Sequence, residues 1–154
     1  MSLKAEIKQQ KEFSSPEEEA LLNVFRTGDL LHIEHARLLR SEKLSHPQYN
    51  ILRILRGAGE ALPCLEVADR MITVVPAITR LLDQLEKQGY VQRVRSETDR
   101  RVVLVAITKA GMRVLAKLDE PLKTLDRKLL SHMTKKELKE LTKLLEKARA
   151  ACPV

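Results

Sequence analysis

Four arginines crowd one short segment of this chain, Arg93, Arg95, Arg100 and Arg101. They flank the polar run Ser96-Glu97-Thr98-Asp99, between two apolar-rich runs at 91–95 and 102–107 that read as strands. A guanidinium keeps its charge at any ordinary pH and offers a rigid fork of donors, so its chemistry is recognition of anions. An arginine-tipped hairpin can reach the minor groove of a duplex, where narrow A·T-rich stretches attract arginine. Asp99 would be repelled by phosphate. Its expected task is internal, accepting hydrogen bonds from a neighbouring arginine or from backbone amides and so shaping the tip.

A second set precedes the hairpin. Val75, Ile78, Leu81, Leu82 and Leu85 recur at helical spacing, and Gly89 supplies a stop, so a helix is expected from about Val74 to Gly89. Small and hydrogen-bonding residues lie around that stripe, as entry into a major groove demands. The candidate duplex contacts are Thr73, Val75, Pro76, Ala77, Thr79, Arg80 and Gln84, joined by Arg95, Arg100 and Arg101 of the hairpin. Asp83 and Glu86 lie further along the helix and are expected to pair with Arg or Lys.

These residues need elements to hold them. Ser15-Pro16-Glu17-Glu18 is a helix start, and the helix is expected to run to about residue 42. Ser45-His46-Pro47-Gln48 starts a second helix that stops near Gly57 and Gly59. A short third helix is expected from Pro63 to Met71. After the hairpin, Thr108 caps a long helix, which Pro121 should kink or split. Thr134-Lys135-Lys136-Glu137 opens the last one, with Leu138, Leu141, Leu144, Leu145 and Ala148 expected to face inward. The fold class is therefore mainly α with a small β-hairpin wing. Residues 1–44 read as an N-terminal dimerisation helix, 45–107 as a winged helix-turn-helix lobe and 108–154 as C-terminal dimerisation helices. The long terminal helices carry more apolar face than one small core can cover, so a second copy of the chain is expected.

Composition narrows the function. The chain has 154 residues, a net charge of +7 and a pI near 9.6, which favours an anionic partner. Aromatics are only 3%, which argues against stacking of single-stranded bases. There is no bilayer-length apolar run and no visible signal peptide, so no membrane association and a cytoplasmic location are expected. No nucleophile–base pair, phosphate loop or paired carboxylates stand in a recognisable context, which excludes the common enzyme classes. No cofactor is implied.

The run Val75-Pro76-Ala77-Ile78-Thr79-Arg80-Leu81-Leu82-Asp83-Gln84-Leu85-Glu86-Lys87-Gln88-Gly89-Tyr90-Val91 resembles the recognition helix and exit of the MarR family of transcription regulators. Asp99-Arg100-Arg101 and Thr108-Lys109-Ala110-Gly111 resemble that family's wing and the entry to its next helix. The resemblance implies a homodimer on palindromic double-stranded DNA, with Arg101 as the minor-groove arginine and a small-molecule effector pocket between the dimer helices and the DNA-binding lobe. Two positions depart from the family's pattern. Ile72 stands where glycine is usual, and Val74 where Ser or Thr often caps the recognition helix. The turn is then reshaped, or Thr73 caps.

Other residues carry weaker signals. His32 and His35 lie one helical turn apart, but no third ligand is near in sequence, so no metal is expected. His35, Tyr49 and Arg113 are the candidates for polar residues of an effector pocket. His46 and His132 read as helix-terminal surface residues. Cys64 and Cys152 read as reduced thiols. The expected function is a sequence-specific regulator, most simply a ligand-responsive repressor. The alternative is a winged-helix adaptor docking an acidic protein through its lysine-rich last helices.

Overall fold

The computed structural model describes residues 2–96, 99 and 102–152. Its elements run α1 (Leu3–Glu6), α2 (Pro16–Leu39), α3 (His46–Ala58), β1 (Leu62–Pro63), α4 (Cys64–Asp69), α5 (Ile78–Lys87), β2 (Val91–Arg95), β3 (Val103–Ile107), α6 (Lys109–Leu130) and α7 (Lys135–Arg149). It is mainly helical, with one three-stranded antiparallel sheet in the order β1-β3-β2. α2 itself ends at Leu39, and a 3-10 turn, Arg40–Glu42, carries the chain to about residue 42, where the sequence puts the end of the helix.

Capping chemistry sets the helix starts. The side chains of Ser15, Ser45, Thr108 and Thr134 each accept a hydrogen bond from the backbone amide three residues on. Ser45 and Thr134 form full capping boxes with Gln48 and Glu137. Gly89, at φ +75°, takes the left-handed turn that ends α5 and starts β2.

The core is aliphatic and centres on α3, which packs against α2, α4, α5, α6 and β3. Ile51, Leu52 and Leu55 are wholly buried with Leu39, Val67, Leu85 and Leu115. Each such side chain is worth about 1.5–3 kcal/mol relative to exposure. Arg56 of α3 adds a two-pronged ion pair to Asp119 of α6, both contacts at 2.9 Å.

Three expectations are corrected. Pro121 does not split α6, which is one helix from Lys109 to Leu130, because its neighbours bury the helix on both sides of that residue, at Leu118 and Leu122. The short β1 escapes the sequence reading, since two residues acquire strand geometry only by pairing Leu62 with Val105 and Pro63 with Leu104. In the last helix, Leu138, Leu141, Leu144, Leu145 and Ala148 are not buried within the single chain. With Val24, Leu31, Leu129 and Met133 the first, second and fourth of these line an apolar groove of about 680 Å³ between α2, α6 and α7. Leu21 and Phe25 of α2 are exposed as well, at 56% and 65%. Among the described residues, no helix is long and apolar enough to cross a membrane.

The β3–α6 junction is stitched to the exit of α5. Thr108 donates its amide to the Tyr90 carbonyl and its hydroxyl to the Gly89 carbonyl, at 3.0 and 2.7 Å. Gly111 lies so close that a Cβ there would overlap the Tyr90 oxygen and stand 2.7 Å from Ile107 Cγ1. Gly111→Ala is therefore expected to lower the unfolding free energy by about 1–3 kcal/mol in urea titrations, the usual effect of overpacking. An unchanged midpoint would show that this junction opens without cost.

Candidate nucleic-acid interface and adjoining cavity

α5 buries Leu82 and Leu85 against α3 and leaves Thr79, Arg80, Asp83, Gln84 and Lys87 exposed. Its start is a correction. The helix begins at Ile78, four residues later than the sequence predicts, after Ala77 at φ −128° with no side-chain cap. The cause is Pro76, which disfavours helical backbone at Val75. Thr73 therefore does not cap the helix. Thr73, Val75, Pro76 and Ala77 lie in the segment that leads into α5, and Thr79, Arg80 and Gln84 lie on it. Thr73, Pro76 and Ala77 are exposed, as are Ile72 and Val74, the latter at 93%.

Side chains from elsewhere fix this unit. Asn50 Oδ1 accepts a hydrogen bond from the Ile72 amide at 2.9 Å. Gln48 Nε2 donates to Gln84 Oε1 at 3.3 Å, tying the first turn of α3 to α5. Gln88 Nε2 donates to the Lys43 carbonyl at 3.3 Å.

The hairpin pairs β2 with β3 from Val91–Ile107 to Arg95–Val103. Beyond it, the Ser96 amide donates to the Val102 carbonyl, and the Val102 amide donates to the Asp99 carbonyl. The Asp99 amide donates to Ser96 Oγ at 3.3 Å, so the main chain of Asp99 helps shape the tip. Arg95 and Asp99 are exposed. Arg100 and Arg101 lie outside the described residues.

Arg93 leaves the arginine cluster. Its guanidinium contacts Asp83 at 2.5 Å and Glu86, and its amide donates to Glu86 at 3.1 Å. The hydrogen bond with Asp83, aided by that with Glu86 and opposed by burial, raises its pKa. The expected pairing of the two α5 carboxylates is thus met from β2. Arg93 offsets two negative charges on the helix that also carries Arg80.

Behind this lobe lies a cavity of about 150 Å³. His35 of α2, His46, Tyr49, Asn50 and Arg53 of α3, and Leu122 and Asp126 of α6 line it, with Ile72. His35 Nε2 lies 2.7 Å from Asp126 Oδ1. The His46 ring stacks on His35 at 6.2 Å between centroids and is tilted against His32 at 4.8 Å. Burial raises the pKa of Tyr49, with Arg53 and Arg56 opposing and Asp119 and Asp126 adding to it, so the phenol keeps its proton at neutral pH. Asn50 is 2% exposed, and its Nδ2 is buried with no hydrogen-bond partner.

His35 and Tyr49 therefore share one cavity. Arg113 is exposed on α6 and does not line it. His46, expected at the surface, is half-buried, because α2 brings His32 and His35 over the start of α3. Asn50, Arg53, Ile72 and Asp126 were missed. Only Asn50 left a signal, a polar residue beside the apolar pair Ile51 and Leu52. Among the described residues, no group of three or more His, Cys, Asp or Glu could hold a metal ion. Cys64 is half-buried against the core and Cys152 is exposed.

The MarR family model matches residues 44–103. A crystal structure of a MarR transcription factor from Planctomyces limnophilus is 40% identical, covers 88% of this chain and 98% of that one, and superposes with a TM-score of 0.67. The organohalide-sensing regulator RdhR, crystallised with 2,4-dichlorophenol, is 18% identical with a TM-score of 0.83, covering 94% of this chain and 88% of that one. An uncharacterised HTH-type regulator of Bacillus subtilis, YfiV, is 38% identical over 77 residues, 50% of this chain and 48% of its own length. Alignments with curated relatives of this kind span about half to two thirds of those proteins.

The histidine cluster predicts a pH dependence. Burial, then the charges of His32, His35 and Arg53, lower the pKa of His46 below its ordinary 6.5, while Asp126 faces the same cavity. With the folded pKa depressed, the unfolded chain takes up this proton first as the pH falls. Stability should therefore decline as the pH drops below about 6.5. Urea midpoints measured at several pH values should show a shallower decline in His46→Gln than in the wild type. Equal declines would mean that His46 does not contribute.

Proposed function

The chain belongs to the MarR family of transcription regulators, and from that premise we infer that it is a sequence-specific double-stranded-DNA-binding repressor, acting as a homodimer on a palindromic operator. The observation that carries this reading is the exposed face of α5, with Thr79 and Arg80, beside a hairpin whose Arg93 neutralises the carboxylates of that helix. A helix so presented enters the major groove. Arg80 takes a guanine or a phosphate, while Pro76 and Ala77 meet thymine methyls. Arg95, Arg100 and Arg101 belong to the wing, with Arg101 in the adjoining minor groove.

Residues 45–107 then form the DNA-binding lobe, and 1–44 with 108–154 supply the dimer. Support for the dimer comes from the apolar groove between α2, α6 and α7 and from exposed Phe25 and Leu144. Equivalent major-groove faces recur about every 34 Å, so the separation of two recognition helices governs specific affinity. The 150 Å³ cavity lies between the long helices and the lobe, where an occupant can bias that separation. A cavity of about this size holds one benzene-sized ring. Among the residues that line it, Arg53 and Tyr49 carry donors, which favour an effector with acceptor oxygens. A cytoplasmic location belongs to the same reading.

The test is fluorescence anisotropy against duplexes enriched by in-vitro selection, over a salt series. Arg80→Ala and Arg101→Ala should each weaken operator binding by about 5- to 150-fold, the range for one lost arginine contact. The wild type should lose affinity linearly in log–log salt plots, with a slope of about 0.9 per phosphate engaged. If selection enriches nothing and both variants bind like the wild type, the repressor reading fails and an acidic protein partner becomes the better one. Sedimentation should separately show a dimer that Phe25→Asp and Leu144→Asp convert to monomer. A monomeric wild type would refute the dimer.

A further inference from the structure

Among the described residues, Val74 is the most exposed large apolar side chain, at 93%. Its neighbours hold it out. The Ile72 amide is pinned to Asn50 Oδ1 of α3, two residues before it. Pro76 disfavours helical backbone at Val75, so the chain enters α5 only at Ile78. Val75 and Ile78 are half-buried, whereas Val74, Pro76 and Ala77 stay exposed. None of these lines the apolar groove between α2, α6 and α7, so the occupant of that groove does not account for them. Arg80, exposed on the first turn of α5, supplies the positive charge that draws a duplex to this apolar segment.

Base edges in a major groove offer donors, acceptors and one apolar group, the C5 methyl of thymine. An isopropyl group neither donates nor accepts a hydrogen bond, so of these it matches only the methyl. Valine is also stiff at χ1, so such a contact costs it little side-chain freedom.

We propose that Val74 is a specificity-determining residue that reads the C5 methyl group of one pyrimidine in each half-site. In unmodified DNA that pyrimidine is thymine. 5-Methylcytosine carries the same methyl at the same ring position, so methylation of a cytosine there strengthens binding. Operator affinity then depends on the methylation state of the DNA as well as on its sequence. The proposal rests on the repressor reading above and adds the chemical group that this segment reads.

The test uses the operator obtained by in-vitro selection, with each thymine replaced in turn by deoxyuridine. Deoxyuridine pairs as thymidine does and lacks only the methyl group. Anisotropy titrations would compare the whole wild-type chain with Val74→Ala. Val74 buries almost nothing, so the variant should keep the wild-type urea midpoint. In the wild type, replacing one thymine of a half-site should lower affinity about fourfold, and replacing it in both half-sites about 15-fold, the worth of one buried methyl at each. In Val74→Ala that loss should disappear, while losses at thymines met by Pro76 and Ala77 remain. With cytosine at the same position, 5-methylation should raise wild-type affinity about fourfold and leave Val74→Ala unchanged.

If every deoxyuridine effect is the same in Val74→Ala as in the wild type, the proposal is refuted and the repressor reading stands. It is refuted equally if the wild type binds the methylated cytosine no better than the plain one. If selection enriches no sequence, the repressor reading falls and the proposal falls with it.

Discussion

Burial of α3 is the constraint on which the other elements depend. Ile51, Leu52 and Leu55 leave no exposed surface, and the helix touches both long helices, α2 and α6, as well as α4, α5 and β3. Such a helix cannot shift without shifting its neighbours, because interiors are packed at crystal-like density. Its polar residues then act at its margins. Gln48 holds α5, Asn50 holds the approach to α5, and Arg56 holds α6. One apolar face and three hydrogen-bonding side chains thus join the two halves of the molecule. The Arg56–Asp119 pair is partly exposed and adds modest energy, so its main effect is to set the relative angle of the two helices.

Electrostatics follows the same economy. α5 carries two carboxylates that would oppose an anionic partner, and β2 answers both with one guanidinium. The arginines of this region are therefore not equivalent. Arg93 is committed internally, whereas Arg80 and Arg95 are exposed. The cavity shows a comparable division. His35 is engaged by Asp126, whereas the Asn50 amide nitrogen is left unpaired.

Much of this was legible from local signals. The caps at Ser15, Ser45, Thr108 and Thr134, the glycine stop at Gly89 and the two apolar-rich runs of the hairpin all act within a few residues, and each appears within a residue of where the sequence puts it. The losses arise where distant segments meet. β1 exists only through β3, and His46 is covered only because α2 folds back over it. Asn50 gains its role from a partner 22 residues away. The start of α5 was misjudged for a local reason. The apolar spacing extends back to Val75, but Pro76 disfavours helical backbone there, and the steric preference prevailed over the periodicity. Of the site residues, Thr79, Arg80 and Gln84 were placed correctly on the helix, and His35 and Tyr49 on one cavity, while Arg113 lay elsewhere. The long helices announced an uncovered apolar face, because leucines in such number have no other place to go.

The grip of Arg93 on Asp83 and Glu86 bears on protein engineering. Recognition helices invite treatment as cassettes, to be cut from one regulator and spliced into another to change what it reads. Used in that way, α5 would not travel alone. Moved without its strand, it would bring two unanswered negative charges to any anionic partner. A foreign helix installed here would face a guanidinium with nothing to hold. The transferable part runs from the helix through β2, some eighteen residues from 78 to 95.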